Sequence, residues 1–335
     1  RREPWWVPVY TPIDFPPFVR RALDLVRPRA LVLTESEMWP NFVWTATRRG
    51  VPVLLVNARV SPRSGRRYRR FAQLLRPLTR HLAAVGLQEP EHAELWSLLG
   101  VPAERLHLTG SVKFDPEDDD HTPRDFRPVL REHGIADGDP ILLAGSTHDG
   151  EEEILADALR AARERFPSLR LLIAPRHVER SREILERLSA TGLRVALRSA
   201  PPGQNPPDVL LIDTTGELRD WYFCADVVFV GKSLAGVGGQ NPVEPVLAGR
   251  PVIFGPHMEN FAALRDALLA AGGAIEVRDG AGLANAAHAL LATPEHRASV
   301  TRNAMHALSP HQGATARTVA MIEEAARTAA TTLSL

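Results

Sequence analysis

Gly231-Lys232-Ser233-Leu234-Ala235-Gly236-Val237-Gly238-Gly239-Gln240-Asn241-Pro242-Val243-Glu244-Pro245 follows the apolar run Asp226-Val227-Val228-Phe229-Val230 and opens onto a helical pattern. The apolar run reads as a buried strand, which makes the stretch a strand–turn–helix corner. Glycines at 231, 236, 238 and 239, with Gly249 beyond, are unsuited to a core. They suit a backbone that must approach a ligand closely and present its N–H groups. Pro242 fits the first turn of the following helix, and Glu244 in the same turn is placed to grip the hydroxyls of a ribose. The corner predicts a nucleotide site in an α/β protein.

Outward from this corner the same alternation runs through the whole chain. Strands are expected at Ala30–Leu33, Val51–Val56, Leu82–Leu87 and Arg105–Leu108, with helices near 40–49, 64–75 and 90–99. The stretch Asp115–Pro128, with three prolines and an acidic run at 117–120, reads as a linker whose charge is solvated. Further strands are expected at Ile141–Ala144, Leu169–Ala174, Arg194–Leu197, Val209–Ile212, Val227–Val230 and Val252–Phe254, followed by helices at 282–293, 295–308 and 313–329. Two successive βαβ arrays with parallel sheets follow from this order. The domains expected are 1–120 and 121–312, with a C-terminal helix at 313–335.

At 335 residues the chain exceeds what one core holds, and 44% hydrophobic with 24% charged residues is ordinary globular composition. No apolar run reaches the roughly 18 residues of a membrane span. Arg1-Arg2-Glu3-Pro4-Trp5-Trp6 carries neither an initiator Met nor a signal-peptide pattern, so the chain reads as starting inside a longer one. Cys224 is the single cysteine, which excludes disulfides and thiolate zinc sites and reads as a small buried residue. The net charge of zero hides an asymmetry: residues 1–115 hold eighteen Lys+Arg against ten Asp+Glu, the rest 22 against 30. Arg59, Arg63, Arg66, Arg67, Arg69, Arg70, Arg76 and Arg80 lie in a stretch with no acidic residue. It reads either as a solvated face or as a surface for a phosphorylated or anionic-membrane partner. Nucleic acid is disfavoured, because few aromatics are interleaved.

In parallel sheets ligands sit beyond the carboxyl ends of the strands, so the residues just after each strand are the candidates. Gly145-Ser146-Thr147 offers a turn and two hydroxyls to a phosphate at a helix N-terminus, while Asp149 and Glu152 have capping-box spacing. Arg176, after Pro175 and before His177, can hold a phosphate bidentately. Thr214 with Glu217 reads as a helix cap, and Gly255-Pro256 is a turn one βα unit beyond the glycine-rich corner. In the first half Glu35 and Glu37 precede Pro40, the expected first helical residue, and Asn57-Ala58-Arg59 ends the next strand.

Taken together these strand-end peptides resemble the 3-deoxy-D-manno-octulosonate (Kdo) transferases. The pieces are Glu35-Ser36-Glu37-Met38-Trp39-Pro40-Asn41, Asn57-Ala58-Arg59, Lys113-Phe114-Asp115, Gly145-Ser146-Thr147-His148, Pro175-Arg176-His177, Gly216-Glu217-Leu218, Gly238 to Pro245 and Gly255-Pro256-His257. They run in order from about residue 8 to about residue 310. The resemblance implies a GT-B architecture of two facing Rossmann-like domains, the first lacking its N-terminal part. It implies Kdo transfer from CMP-Kdo to a lipid A precursor, with inversion and without metal or cofactor, in lipopolysaccharide core assembly at the cytoplasmic face of the bacterial inner membrane. The donor site it implies is Gly145, Ser146, Thr147, Arg176, His177, Gly216, Glu217, Gly238, Gly239, Gln240, Asn241, Glu244, Gly255 and Pro256. Positive charge for the departing phosphate is expected from Arg176, the N–H groups around Gly239 and the helix start near Asn241. Asn57, Arg59, Ser61, Arg63 and Arg66 are expected on the acceptor. Glu37, with Glu35 beside it, is expected to position or assist the acceptor, the family's chief base being a glutamate in a preceding βα unit. Gln240 stands where many relatives have His, and Ser36 where they have Thr. Another nucleotide-sugar transferase or epimerase, and a non-catalytic nucleotide- or glycan-binding protein, remain open as alternatives.

Overall fold

A computed structural model describes residues 6–35, 37–58, 60, 62–115 and 122–332; of the expected linker, residues 116–121 lie outside these. The chain forms two compact units, Arg1–Asp115 with His311–Leu335, and Pro116–Pro310. The division therefore falls after Asp115 rather than after residue 120. The last helix, expected as a separate element, belongs to the first unit.

The first unit has a parallel sheet in the order β1 (Leu31–Thr34), β2 (Val53–Ala58), β3 (Leu82–Leu87), β4 (Leu106–Leu108). Its helices are α1 (Pro16–Val26), α2 (Pro40–Arg48), α3 (Pro62–Arg70), α4 (Ala72–Thr79) and α5 (His92–Leu98). The single helix expected at 64–75 is thus two, broken at Phe71. Pro40 starts α2 where its missing N–H is harmless, and the Asp14 carboxylate accepts the Asn41 and Phe42 N–H groups at 3.2 and 3.0 Å. Strand alternation then sorts the core. Val53, Leu55, Leu82, Val85 and Leu87 pack with Phe42, Val43, Leu95 and Trp96, while Leu54, Val56 and Ala84 on the opposite face meet Met321, Ile322 and Ala325.

The second unit is a seven-stranded all-parallel sheet of β5 (Ile141–Thr147), β6 (Arg170–Pro175), β7 (Val195–Leu197), β8 (Val209–Leu211), β9 (Val227–Val230), β10 (Val252–Phe254) and β11 (Ala274–Glu276). Their spatial order is β11-β10-β9-β5-β6-β8-β7. The chain builds outward from β5 to β7 on one side, then crosses back to add β9, β10 and β11 on the other. The order reverses between β5 and β9, and that is where a crevice opens in such sheets. Helices α6 (Arg127–Glu132), α7 (Glu151–Arg163), α8 (Ser181–Ser189), α9 (Leu218–Trp221), α10 (Val243–Leu247), α11 (Ala262–Ala270), α12 (Gly280–Ala292) and α13 (Pro294–Leu308) complete the unit. Alternate strand residues again divide: Leu142, Ala144, Ile173 and Phe229 pack with Leu155, Ile184, Leu283 and Leu290. Leu143, Leu172, Leu210 and Val228 pack with Phe126, Trp221 and Tyr222. The final helix, α14 (Ala314–Thr332), is held in the first unit by Asp115, which accepts the Gly313 and Thr315 N–H groups at 2.6 and 2.7 Å.

An ion cluster pins the far edge of the second sheet. Asp208, 8% exposed at its side chain, accepts from Arg163 at 2.6 Å and Arg194 at 2.7 Å. Burial alone would raise its carboxyl pKa, but the hydrogen bonds from Arg194 and Arg163 overcome that and hold it well below the usual carboxylate range. A depressed folded-state pKa gives stability that is full above the unfolded value of about 3.9 and drains as the pH falls through the folded one. Asp208→Asn should therefore cost about 2 kcal/mol at pH 7, a deficit that shrinks steadily below about pH 4. Urea denaturation at pH 7 and pH 3 checks this, and a deficit that grows in acid would refute it.

Candidate nucleotide-binding site

At the β5–β9 switch point the two strands run side by side, Gly145 opposite Val230, and the Gly231 N–H donates to the Gly145 carbonyl at 2.9 Å. The organising residue is Glu151, in the first turn of α7 and fully buried. Its carboxylate accepts four backbone N–H groups: His148 at 3.0 Å, Lys232 at 2.7 Å, Ser233 at 2.9 Å and Leu234 at 3.0 Å. One side chain thus clamps the glycine-rich loop to the turn after β5. Ser233, also fully buried, donates its hydroxyl to the Val230 carbonyl at 2.5 Å and accepts the Gly255 N–H at 2.8 Å, joining the end of β9 to the end of β10.

The glycines serve this packing. A Cβ on Gly231 would lie 2.3 Å from the Ser146 carbonyl oxygen, and one on Gly255 would lie 2.0 Å from that of Ser233. Gly238 and Gly239 have φ of +112° and +68°, and a Cβ on Gly239 would meet Met258 Sδ at 2.4 Å. The N–H groups expected around Gly239 turn inward. Gly238 donates to Glu259 at 2.7 Å, Gly239 to the Lys232 carbonyl at 3.1 Å and Gln240 to the Gly231 carbonyl at 3.1 Å. Asn241 Oδ1 accepts the Val243 N–H at 3.0 Å at the start of α10, so that oxygen is a cap.

Thr147 is also turned inward. β5 continues past Ala144 to Thr147, and the fully buried Thr147 hydroxyl donates to Glu152 at 2.9 Å. Asp149 and Glu152 do not form the expected cap: Asp149 accepts from Arg180 and Arg187 at 2.9 and 2.8 Å, and Glu152 accepts from Arg180 at 3.2 Å. Ser146 stays half-buried at the rim with φ +55°. Beneath it, a Cβ on Gly145 would come within 2.6 Å of the Tyr222 hydroxyl. Burial first, and then the nearby Glu244 carboxylate, raise the pKa of that hydroxyl and keep it protonated. Glu244 itself is exposed.

On the other flank the Arg176 N–H donates to the Thr147 carbonyl at 3.0 Å, and the His177 ring stands edge-on to His148 with centroids 6.0 Å apart. Arg176 and His177 are exposed; among the described residues Arg176 forms no ion pair. Burial lowers the His148 pKa, and Lys232 and His177 push it the same way against Ser146 and Glu151. Gly145, Ser146, Arg176, His177, the glycine loop, Glu244 and Gly255-Pro256 thus gather at the ends of β5, β6, β9 and β10. Gly216 and Glu217 follow β8, the strand beside β6; Glu217 is held by Arg198 at 3.2 Å and Thr214 at 2.5 Å.

In the first unit Glu35 and Glu37 separate. Glu35 pairs with Lys113, and exposed Glu37 borders an apolar cavity of about 860 Å³ lined by Tyr10, Ile13, Phe18, Leu33, Trp39 and Phe42. Asn57 is buried, accepting the Val112 N–H on Oδ1 at 3.2 Å and the Gln88 amide on its carbonyl at 2.9 Å, so it braces the sheet end. Arg59, Ser61 and the Arg63 side chain lie outside the described residues. Arg66, Arg67, Arg69 and Arg70 are exposed on α3, and no ion pair is formed by them among the described residues. Among the described residues, the non-glycine positions with positive φ besides Arg27 are Glu35, Asn57, Ser146 and Lys232, each at the carboxyl end of a strand. Such backbone costs about 1–2 kcal/mol and collects where ligands are held.

Two α/β units, each built on a parallel sheet, the second with a crevice at its switch point, are the elements of the GT-B fold. Over 89% of this chain and 76% of the other, the fold matches Staphylococcus aureus MnaA solved with UDP, at TM-score 0.54 and 14% identity. A family model described as 3-deoxy-D-manno-octulosonic-acid transferase matches residues 3–116. The 3-deoxy-D-manno-octulosonic acid transferase of Bordetella pertussis is 39% identical over 321 residues, 94% of this chain and 73% of that one. The C-terminal CMP-Kdo binding domain of WaaA from Acinetobacter baumannii matches 55% of this chain and 97% of that domain, at 28% identity and TM-score 0.50. The chain belongs to the Kdo transferase family.

Proposed function

We propose that the chain transfers Kdo from CMP-Kdo to a lipid A precursor with inversion at the anomeric carbon. The observation that carries this is the β5–β9 crevice, with Ser146 at the end of β5, Arg176 just after the neighbouring β6 and Glu244 in the first turn of α10 beyond β9. Glu244 holds the ribose hydroxyls. As the bond between the anomeric carbon and the phosphate oxygen breaks, CMP leaves with the electron pair, and Arg176 stabilises the charge that develops on it. A single phosphate asks for fixed positive charge rather than for a cation bridging a diphosphate. The acceptor hydroxyl attacks from the opposite face, and its proton passes to a carboxylate. Of the two strand-end glutamates, Glu37 suits the acceptor better, because Glu35 is paired with Lys113. The unpaired arginines of α3 suit the acceptor's phosphates and an anionic membrane surface, which is consistent with peripheral action at the cytoplasmic face of the inner membrane. No helix among the described residues is long and apolar enough to cross a membrane.

Release of CMP from CMP-Kdo, measured with and without a lipid A precursor, tests this reading. Arg176→Ala and Glu37→Ala should each lower kcat more than about tenfold. Unchanged rates would remove those residues from the site, and tight binding of UDP in preference to CMP would overturn the donor assignment.

A further inference from the structure

The residue least explained by the fold is Lys232. Its backbone does structural work, the N–H donating to Glu151 at 2.7 Å and the carbonyl accepting from Gly239 at 3.1 Å. A glycine would do the same with less strain, since φ here is +59°. The side chain is half-buried, its stem lying against Gly236, where an added Cβ would come within 2.8 Å of Lys232 Cγ. Its ammonium forms no ion pair among the described residues. His148 shares the Glu151 carboxylate with Lys232 through its own N–H, and its ring contacts that of His177. In a chain of 40 Lys+Arg, only Lys113 and Lys232 are lysines. A compact ammonium stands at a position of positive φ near the His148 imidazole, where the end of β9 meets the first turn of α7.

We propose that Lys232 grips the phosphate of the bound nucleotide, its ammonium donating to a non-bridging oxygen. The proposal rests on the donor reading above and adds to it the group that separates a nucleotide from a nucleoside. Arg176 and Lys232 would then take the phosphate from opposite flanks, from the ends of β6 and β9.

Calorimetric titration of CMP and of cytidine into the wild-type chain, Lys232→Gly and Lys232→Met tests it. Lys232→Gly should fold with an unchanged or higher Tm, because glycine adopts this φ freely. Its CMP affinity should fall roughly tenfold or more, the scale of one charge-assisted hydrogen bond, while cytidine binds within about twofold of wild type. Lys232→Met, which keeps the stem and the strain, should show the same selective loss. A CMP-to-cytidine ratio unchanged in both variants would overturn the proposal. If the wild type binds UDP and not CMP, the donor reading has failed, and the ratio of UDP to uridine decides Lys232 by the same criterion. A wild-type chain that binds no nucleotide overturns both.

Discussion

Glu151→Gln should abolish measurable CMP binding and destabilise the second unit by about 3 kcal/mol. The carboxylate receives four N–H donors, from His148, Lys232, Ser233 and Leu234, on two oxygens with no exposure to water. An amide keeps one oxygen and turns an NH2 group toward N–H groups already pointing at it. At least one buried pair becomes donor against donor, and the glycine loop loses its attachment to α7. Glu152→Gln is the matched comparison. Glu152 has one oxygen bonded to Thr147 and Arg180 and the other unpartnered, and burial raises its pKa. An amide can keep the bonded oxygen and place its nitrogen where nothing is lost, so the cost should stay near 1 kcal/mol. Urea denaturation with CMP titration separates the two, and equal midpoints would show that Glu151 is not the clamp.

Gly231→Ala should be at least as damaging, at about 3 kcal/mol or more. Its Cβ would sit 2.3 Å from the Ser146 carbonyl oxygen and 2.7 Å from the Thr147 Cα, so backbone must yield rather than a mobile side chain. β5 and β9 can separate only by breaking the Gly231-to-Gly145 hydrogen bond and the ladder beneath it. Gly216→Ala calibrates the effect: nothing lies within 4 Å of its Cβ, and only the φ of +78° is unfavourable, which is worth about 1 kcal/mol. Thermal unfolding of both variants measures the difference. A Gly231→Ala protein as stable as Gly216→Ala would mean that the two loops are not in contact.

Most strands were legible because the central ones are buried on both faces, and buried parallel strands read as short unbroken apolar runs such as Val227–Val230. β11 was missed: Ala274-Ile275-Glu276 is three residues long and ends on a charge tied to Arg265. α1 was not singled out either, although Pro16 and the stripe Val19, Leu23 mark it. In the site, the sequence pointed to the glycine-rich corner but not to the reason for its glycines. Spacing alone offers Asp149, Glu151, Glu152 and Glu153 equally to a helix start. What selects Glu151 is a contact made 81 to 83 residues away, across a strand pairing no local pattern reveals. Thr147 was misjudged because β5 runs three residues further than its apolar run. The signal for Lys232 was present, in the rarity of lysine along an arginine-rich chain.

The placement of α14 bears on how the protein is made. When the ribosome has delivered Asp115, β1 to β4 have all been made, yet Met321, Ile322 and Ala325, which cover Leu54, Val56 and Ala84, are some two hundred codons from synthesis. The nascent first half must wait with one greasy face bare, whereas the second half can close as soon as it emerges. Translation arrested before Ala314 is added should therefore yield a product that chaperones retain and proteases trim around β1 to β4.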